Sequence, residues 1–292
     1  MGRLIFDSDS SQRAEELFEL VKWQIGFGAR YPGTTEHKLF QEALAAMMRD
    51  KAGVCCKQEF QIELLGKPTI CANLVCHLKT AARPEKGPLL IGTHYDTRLQ
   101  ADNERDPVLR AKPILGANDG GSGTAILLHM IDLIRQQDYT RDIFVVLFDA
   151  EDVGNIGDNS FSMGAEFLAQ NPLPAPPEEV LILDMVGGKD MILDIDTHIF
   201  HHEESRRLTQ EIFALAKSQM LQPFLAHKQG KSKYIICDHY PFLMKAIPSC
   251  VLIDIDYPEW HTHKDLPGAM SPGSLLLIED FVLAYLSSFL RE

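Results

Sequence analysis

Residues 143–152 read IFVVLFDAED, an unbroken apolar run from Ile143 to Phe148 followed at once by Asp149, Glu151 and Asp152. A short run that is apolar at every position, rather than at alternate ones, describes a strand buried on both faces. Acids crowded at its end repel one another unless a cation or a proton compensates them, which favours a functional reading. The pattern recurs along the chain. Pro88 to Thr93 (PLLIGT) runs into His94-Tyr95-Asp96, Val180 to Leu183 into Asp184, and Val251 to Ile255 into a loop holding Trp260-His261-Thr262-His263.

Helical segments alternate with these strands: Ser122 to Arg135, Ser162 to Ala169, Ser205 to Met220 and Ser274 to Leu290. Such alternation predicts an α/β fold, a mixed and mostly parallel twisted sheet flanked by helices. Two helices precede it. Leu17, Leu20, Val21 and Gln24 mark one stripe over Gln12 to Ile25, and Phe40, Leu44, Met47 and Met48 another over Thr35 to Met48. Extended runs at Phe60 to Leu65 and Ile70 to Leu78, joined by Gly66, Lys67 and Pro68, read as a hairpin. The stretch Pro172 to Glu179 is a loop within the domain, because the strand after it carries Asp184. A single domain over 1–292 is expected, with the helices of 1–50 packed on it.

With 292 residues, 45% hydrophobic and 24% charged, the chain has material for a sizeable core. Its net charge of −13 argues against nucleic acid and anionic membranes as partners. Neither a signal-like apolar core near the N-terminus nor a membrane-spanning run is seen, so a cytoplasmic location is the expectation unless a leader has been removed. The cysteines, Cys55, Cys56, Cys71, Cys76, Cys237 and Cys250, lack paired zinc-site spacing and are expected to be mostly buried thiols. Cys55 and Cys56 would point to opposite faces of a strand, which excludes a bridge between them.

Open α/β sheets place their ligand crevice at the carboxyl ends of the strands, where His94, Asp119, Asp152, Asp184 and His261 all fall. Imidazole and carboxylate donors together suit zinc, and Glu151 offers a base. Each residue also has a plainer reading. His94 with Asp96 is either a structural hydrogen bond or a metal ligand with its orienting carboxylate. Asp119, in the glycine-rich turn Gly116 to Gly123, is either a helix N-cap or free for the crevice if Ser122 supplies the cap. Trp260 reads equally as a core aromatic or a pocket wall. His201, His202 and His227 read as solvated surface.

HYDTR (His94 to Arg98), PILGANDGGSG (Pro113 to Gly123), FDAED (Phe148 to Asp152), LILDMVGG (Leu181 to Gly188), CDHYPF (Cys237 to Phe242) and WHTHKD (Trp260 to Asp265) together resemble the zinc exopeptidase superfamily of metallopeptidase family 28. With Arg30-Tyr31-Pro32-Gly33, they resemble most its glutaminyl cyclase branch. The resemblance covers nearly the whole chain and implies a phosphorylase/hydrolase-like fold and a zinc enzyme acting on peptides with a free N-terminus. In two-metal aminopeptidases, the residue at Asp119 bridges the ions, Asp152 and His261 complete one site, and His94 and Asp184 the other. In the cyclases a single zinc is held at Asp119, Asp152 and His261. Glu151 is the acid/base in both, and His94 and Asp184 are second-site or orienting residues.

The resemblance further implies Asp184 and Asp238 as catalytic acids and Trp260, Cys237, Phe242 and Tyr257 as a substrate pocket. Three departures bear on substrate choice: no tryptophan in Val153 to Met163, Cys237 where the animal-type cyclases carry a second acid, and Asp152 in place of a glutamate. The expected activity is cyclisation of N-terminal glutamine to pyroglutamate with release of ammonia. The alternative is aminopeptidase hydrolysis, and the third reading is a non-catalytic peptide-binding relative, which would have lost a ligand or the base. The sequence leaves the oligomeric state open.

Overall fold

Strands β3 (Leu89–His94), β4 (Ile143–Phe148) and β5 (Glu179–Asp184) form the middle of the sheet, and their side chains are buried almost without exception. The computed structural model describes residues 8–53, 55–79, 84–172, 175–225 and 233–290. His227 lies outside the described residues. The remaining strands are β1 (Cys55–Leu64), β2 (Lys67–Leu78) and β6 (Ser249–Ile253), in the order β1-β2-β4-β3-β5-β6. β4, β3, β5 and β6 run parallel, whereas β1 and β2 form an antiparallel ribbon added to β4. The chain leaves β3 toward β4 and then returns past it to β5, so the order reverses beside β3 and opens a crevice there.

The hairpin turn is shorter than its composition predicts. Leu64 pairs with Lys67, leaving Leu65 and Gly66 as the turn, both at positive φ (54° and 72°), the two-residue geometry that matches strand twist. Lys67 and Pro68 therefore lie in β2. Pro68 is tolerated because β2 meets β4 only from Leu74 onward. The cysteine expectation also needs correction. Cys55 and Cys56 do diverge, but Cys55 sits opposite Cys76 in the ladder and the two form a disulfide. Cys71, Cys237 and Cys250 are buried thiols, and Cys56 is exposed.

Helices α1 (Ser8–Ile25), α2 (Thr35–Ala52), α4 (Gly121–Arg135), α6 (Glu203–Ser218) and α9 (Pro272–Ser287) join one apolar core on one face of the sheet. Leu17, Val21, Phe40 and Leu44 enter that core beside Ile91 and Val145. On the other face, α5 (Met163–Gln170) and the short α8 (Tyr240–Leu243) cover Leu90, Phe144, Val146, Phe148 and Ile182. Short turns of helix at Pro107–Arg110 (α3) and Gln222–Leu225 (α7) lie in connecting segments.

Close approach of α4 to the strand ends depends on Gly123. A Cβ there would fall 2.2 Å from Thr93 Oγ1 and 2.8 Å from the Leu183 carbonyl. Only glycine lets the first turn of α4 sit over β3 and β5, which holds the loop carrying Asp119 in the crevice.

Candidate metal centre and active site

β3 ends at His94, β5 ends at Asp184, and the turn after β4 delivers Glu151 and Asp152. The loop before α4 adds Asp119, and the loop after β6 adds His261. Donor atoms of Asp119, Asp152 and His261 lie within 4.8 Å of one another, as do those of His94, Asp119 and Asp184, and of His94, Glu151 and Asp152. His261 Nε2 stands 3.4 Å from Asp119 Oδ2 and 3.1 Å from Asp152 Oδ1. His94 Nε2 stands 3.2 Å from Asp119 Oδ1 and 3.5 Å from Asp184 Oδ1. Tetrahedral ligands about 2.0–2.1 Å from zinc are themselves separated by roughly 3.3 Å, so these spacings fit.

The two oxygens of Asp119 thus face different histidines. That is the geometry of a carboxylate shared between two neighbouring donor sets. Asp119 Oδ2, Asp152 Oδ2, Asp184 Oδ1 and both oxygens of Asp238 are buried and accept no hydrogen bond from any of the described residues. Orphaned acceptors among buried like charges are costly, and a cation held here would compensate them.

Electrostatics express the same crowding. Burial and the nearby Asp152 push the Asp119 carboxyl up to about 6. Glu151 is driven well above the usual carboxylate range by burial and by Asp152, Asp238 and Asp184, against the pull of His94. Asp238 rises for the same reason, burial first and then Asp184. Burial disfavours charge on His261, but Asp152, Asp102 and Asp119 outweigh it and lift the imidazole to about 10.

Backbone clasps hold the site residues. Asp96 accepts from the main-chain N–H groups of Glu151 (3.0 Å) and Asp152 (3.1 Å). It orients His94 chiefly through its main-chain oxygen, 3.2 Å from Nδ1, since its carboxylate is 3.6 Å away; this refines the expected carboxylate–imidazole contact. Asp265 does for the Asp119 loop what Asp96 does for Glu151 and Asp152, accepting from the N–H groups of Asn118 (2.9 Å) and Asp119 (3.1 Å). Asp102 backs His261 Nδ1 at 3.5 Å and is itself gripped by Arg98 at 2.6 Å. Burial opposes its charge, but the contacts to His261 and Arg98 hold its carboxyl down to about 2. Sequence reading missed the roles of Asp265 and Asp102. An acid that binds main chain far away in sequence leaves no local signal.

Ser122 does not cap α4, contrary to the expectation. The N-cap is Gly120, and the Ser122 hydroxyl donates to the Asn118 carbonyl at 2.6 Å and accepts from Val186 N–H at 3.1 Å. Asp119 does not cap the helix either, and its carboxylate faces His94 and His261. His263 turns away, its Nε2 on the Leu109 carbonyl. Glu151 Oε1 accepts from the Ser162 hydroxyl at 3.1 Å. Ala150, Ser162, Met185 and His261 all hold positive φ, a cluster of strained backbone around the site.

Among the pocket candidates, half-buried Trp260 stacks obliquely on His261, with centroids 4.6 Å apart. Cys237 is buried close enough to Asp184, Asp238 and Glu151 for their charges to add to burial in pushing its thiol well up. Phe242 is corrected. It is wholly buried against Phe148 at 6.1 Å, core beneath the site rather than wall. Tyr257 is also buried, its hydroxyl donating to Asp265 at 3.1 Å, so it supports the Asp119 loop.

The chain is 24% identical to the glutaminyl-peptide cyclotransferase of Drosophila melanogaster, across 88% of this chain and 77% of that protein. Its fold superposes on the glutaminyl cyclase of Porphyromonas gingivalis with a TM-score of 0.82 at 27% identity, covering 94% of this chain and 98% of the other. A Zn-dependent exopeptidase from Parabacteroides distasonis superposes equally well, with a TM-score of 0.83 at 26% identity, over 95% and 98% of the chains. Residues 73–286, from the middle of β2 to the end of α9 and so including every donor named above, match the family model described as Peptidase family M28, and the chain belongs to that family.

Proposed function

We propose that the protein is a zinc-dependent glutaminyl-peptide cyclotransferase, converting N-terminal glutamine to pyroglutamate with loss of ammonia. The observation that carries this reading is Asp238, fully buried beside Glu151 and Asp184, with neither carboxylate oxygen hydrogen-bonded among the described residues. Cyclisation moves a proton between two nitrogens of a single residue, and a second acid facing those nitrogens suits that task. The names borne by the Drosophila and Porphyromonas relatives support it.

Asp119, Asp152 and His261 would hold zinc, which supplies polarisation of the side-chain amide carbonyl. Glu151 takes a proton from the α-amine as its nitrogen bonds to the amide carbon. It returns that proton to the departing nitrogen as the old carbon–nitrogen bond breaks, and ammonia leaves. Burial and the neighbouring acids raise the Glu151 carboxyl above the usual carboxylate range, so it holds a proton more readily than an exposed carboxylate, which suits the return step. Asp238 and Asp184 hold the substrate nitrogens, and Trp260 walls the ring-forming space and helps exclude water.

Aminopeptidase hydrolysis is the second reading. It is favoured by the presentation of Asp119 to both His94 and His261, which would accommodate two ions. Incubation with a glutamine-initiated peptide, with mass analysis and metal counting, separates the two. Loss of ammonia with one zinc per chain is expected, whereas a released amino acid with two zinc ions would replace the cyclase reading by the peptidase one.

The compartment is part of the proposal. Among the described residues no helix is long and apolar enough to cross a membrane. The Cys55–Cys76 bridge favours an oxidising compartment over the cytoplasm expected from the sequence.

A further inference from the structure

Asp196 and His239 form a buried pair that the proposed chemistry does not use. Asp196 follows β5 and is 3% exposed, and His239 is fully buried. Asp196 Oδ2 lies 2.9 Å from His239 Nε2. Its other oxygen accepts from the main-chain N–H groups of Ile235 and His198, each at 3.1 Å, and faces His198 Nδ1 at 2.8 Å. One carboxylate therefore grips the chain on both sides of Cys237-Asp238, at Ile235 and at His239.

The grip is reinforced upstream. Thr197 donates to the Lys233 carbonyl through both its N–H (2.9 Å) and its hydroxyl (3.0 Å), and Lys233 Nζ meets Asp194 at 3.1 Å. Among the described residues none donates a hydrogen bond to the Asp238 carboxylate. The backbone on either side of it therefore aims its side chain.

Asp96 clasps the main chain of Glu151 and Asp152, and Asp265 clasps that of Asp119. Asp196 stands in the same relation to Asp238. We propose that Asp196 and His239 are positioning residues that hold Asp238 at the reacting centre. This rests on the reading of Asp238 as a substrate-contacting acid under the proposed function. A ring nitrogen bound to a buried carboxylate has one orientation, and that rigidity is passed to the neighbouring residue through the peptide bond.

The test compares Asp238→Asn, His239→Leu, His239→Gln and Asp196→Asn in steady-state turnover of a glutamine-initiated peptide, with zinc content and thermal unfolding measured on each. His239→Leu and Asp196→Asn are expected to lower kcat by about 10- to 100-fold, with KM changed by less than about threefold and zinc retained. His239→Gln, whose amide N–H reaches nearly the place of Nε2–H, is expected to recover most of the loss. If His239→Leu does not fold, Asp196→Asn and His239→Gln decide the matter.

Asp238→Asn with unchanged turnover would remove the reading on which the proposal rests, and the proposal with it. A large loss in Asp238→Asn beside wild-type kcat in His239→Leu or Asp196→Asn would overturn the positioning role alone. A loss in kcat that His239→Gln does not recover, or one that follows zinc content, would overturn it as well.

Discussion

Asp149 and Asp152 leave the same strand and are sealed from solvent alike, at 0% and 2% exposure, but their carboxylates are treated in opposite ways. Asp149 has both oxygens occupied. Oδ1 meets His37 Nε2 (2.8 Å) and its neighbour's N–H at Ala150 (2.9 Å), while Oδ2 accepts from Gln41 (3.1 Å) and Ala72 N–H (2.8 Å). It ties α2, β2 and β4 together. Asp152 meets His261 through Oδ1, and its Oδ2 accepts no hydrogen bond among the described residues. Burial and charge density do not distinguish a structural acid from a functional one here. Unspent hydrogen-bonding capacity does.

The largest expected break in this comparison is Glu151→Gln. The amide keeps the size of the side chain and the contact with the Ser162 hydroxyl but cannot carry a proton. Turnover should fall by at least about 10³-fold, roughly 4 kcal/mol of transition-state stabilisation. Zinc content and melting temperature should stay near wild type, and retention of most of the activity would remove Glu151 from the proton path.

Asp149→Ala should do the reverse. It removes the partner of His37 Nε2 and of two main-chain N–H groups and one of the two contacts of the Gln41 amide, and should cost about 3–5 kcal/mol of stability by denaturant unfolding. The protein that remains folded should bind zinc normally. A zinc deficit out of proportion to the folded fraction would mean that Asp149 belongs to the site.

A titration sharpens the same contrast. Burial opposes charge on His37, but Asp149 lifts its imidazole above the ordinary value. A group raised in the folded state stabilises fully below its unfolded pKa, about 6.5 for histidine, and loses that contribution as pH rises through the folded value. Unfolding free energy should therefore decline over that window in wild type, and the decline should flatten in Asp149→Asn. An unaltered slope would detach His37 from Asp149.

The smallest effect is expected at Asp265, which accepts from the Tyr257 hydroxyl and acts on the site through the main-chain N–H groups of Asn118 and Asp119. Asp265→Asn should weaken zinc affinity by about 10- to 100-fold, read by competition with a chelator. Unchanged affinity would show that the Asp119 loop holds its shape without the clasp.

Much of this contrast was half legible beforehand. The parallel core was readable because strands covered on both faces must be apolar at every position, and IFVVLF and LLIG satisfy that alone. Hairpin register was less so. The turn composition of Gly66, Lys67 and Pro68 did not reveal that a stretch of β2 paired on one side only can hold a proline. The Cys55–Cys76 bridge was hidden for a related reason, since cross-strand partners follow from register and not from spacing. Within FDAED the acids look alike in sequence, and nothing local says that Asp149 faces α2 while its successors face the crevice.

By itself, then, the sequence determined where acids and histidines meet strand ends, because apolar runs and the residues that stop them are local properties. It also carried motifs whose resemblance to a peptidase family the match over residues 73–286 bears out. Tertiary structure decided which acids are satisfied and which are left open, that Asp119 faces both histidines, and that Asp96 and Asp265 accept from the main chain of Glu151, Asp152, Asn118 and Asp119. Hydrogen-bond satisfaction belongs to pairs of groups from distant segments, and only folding brings the second member of each pair into place.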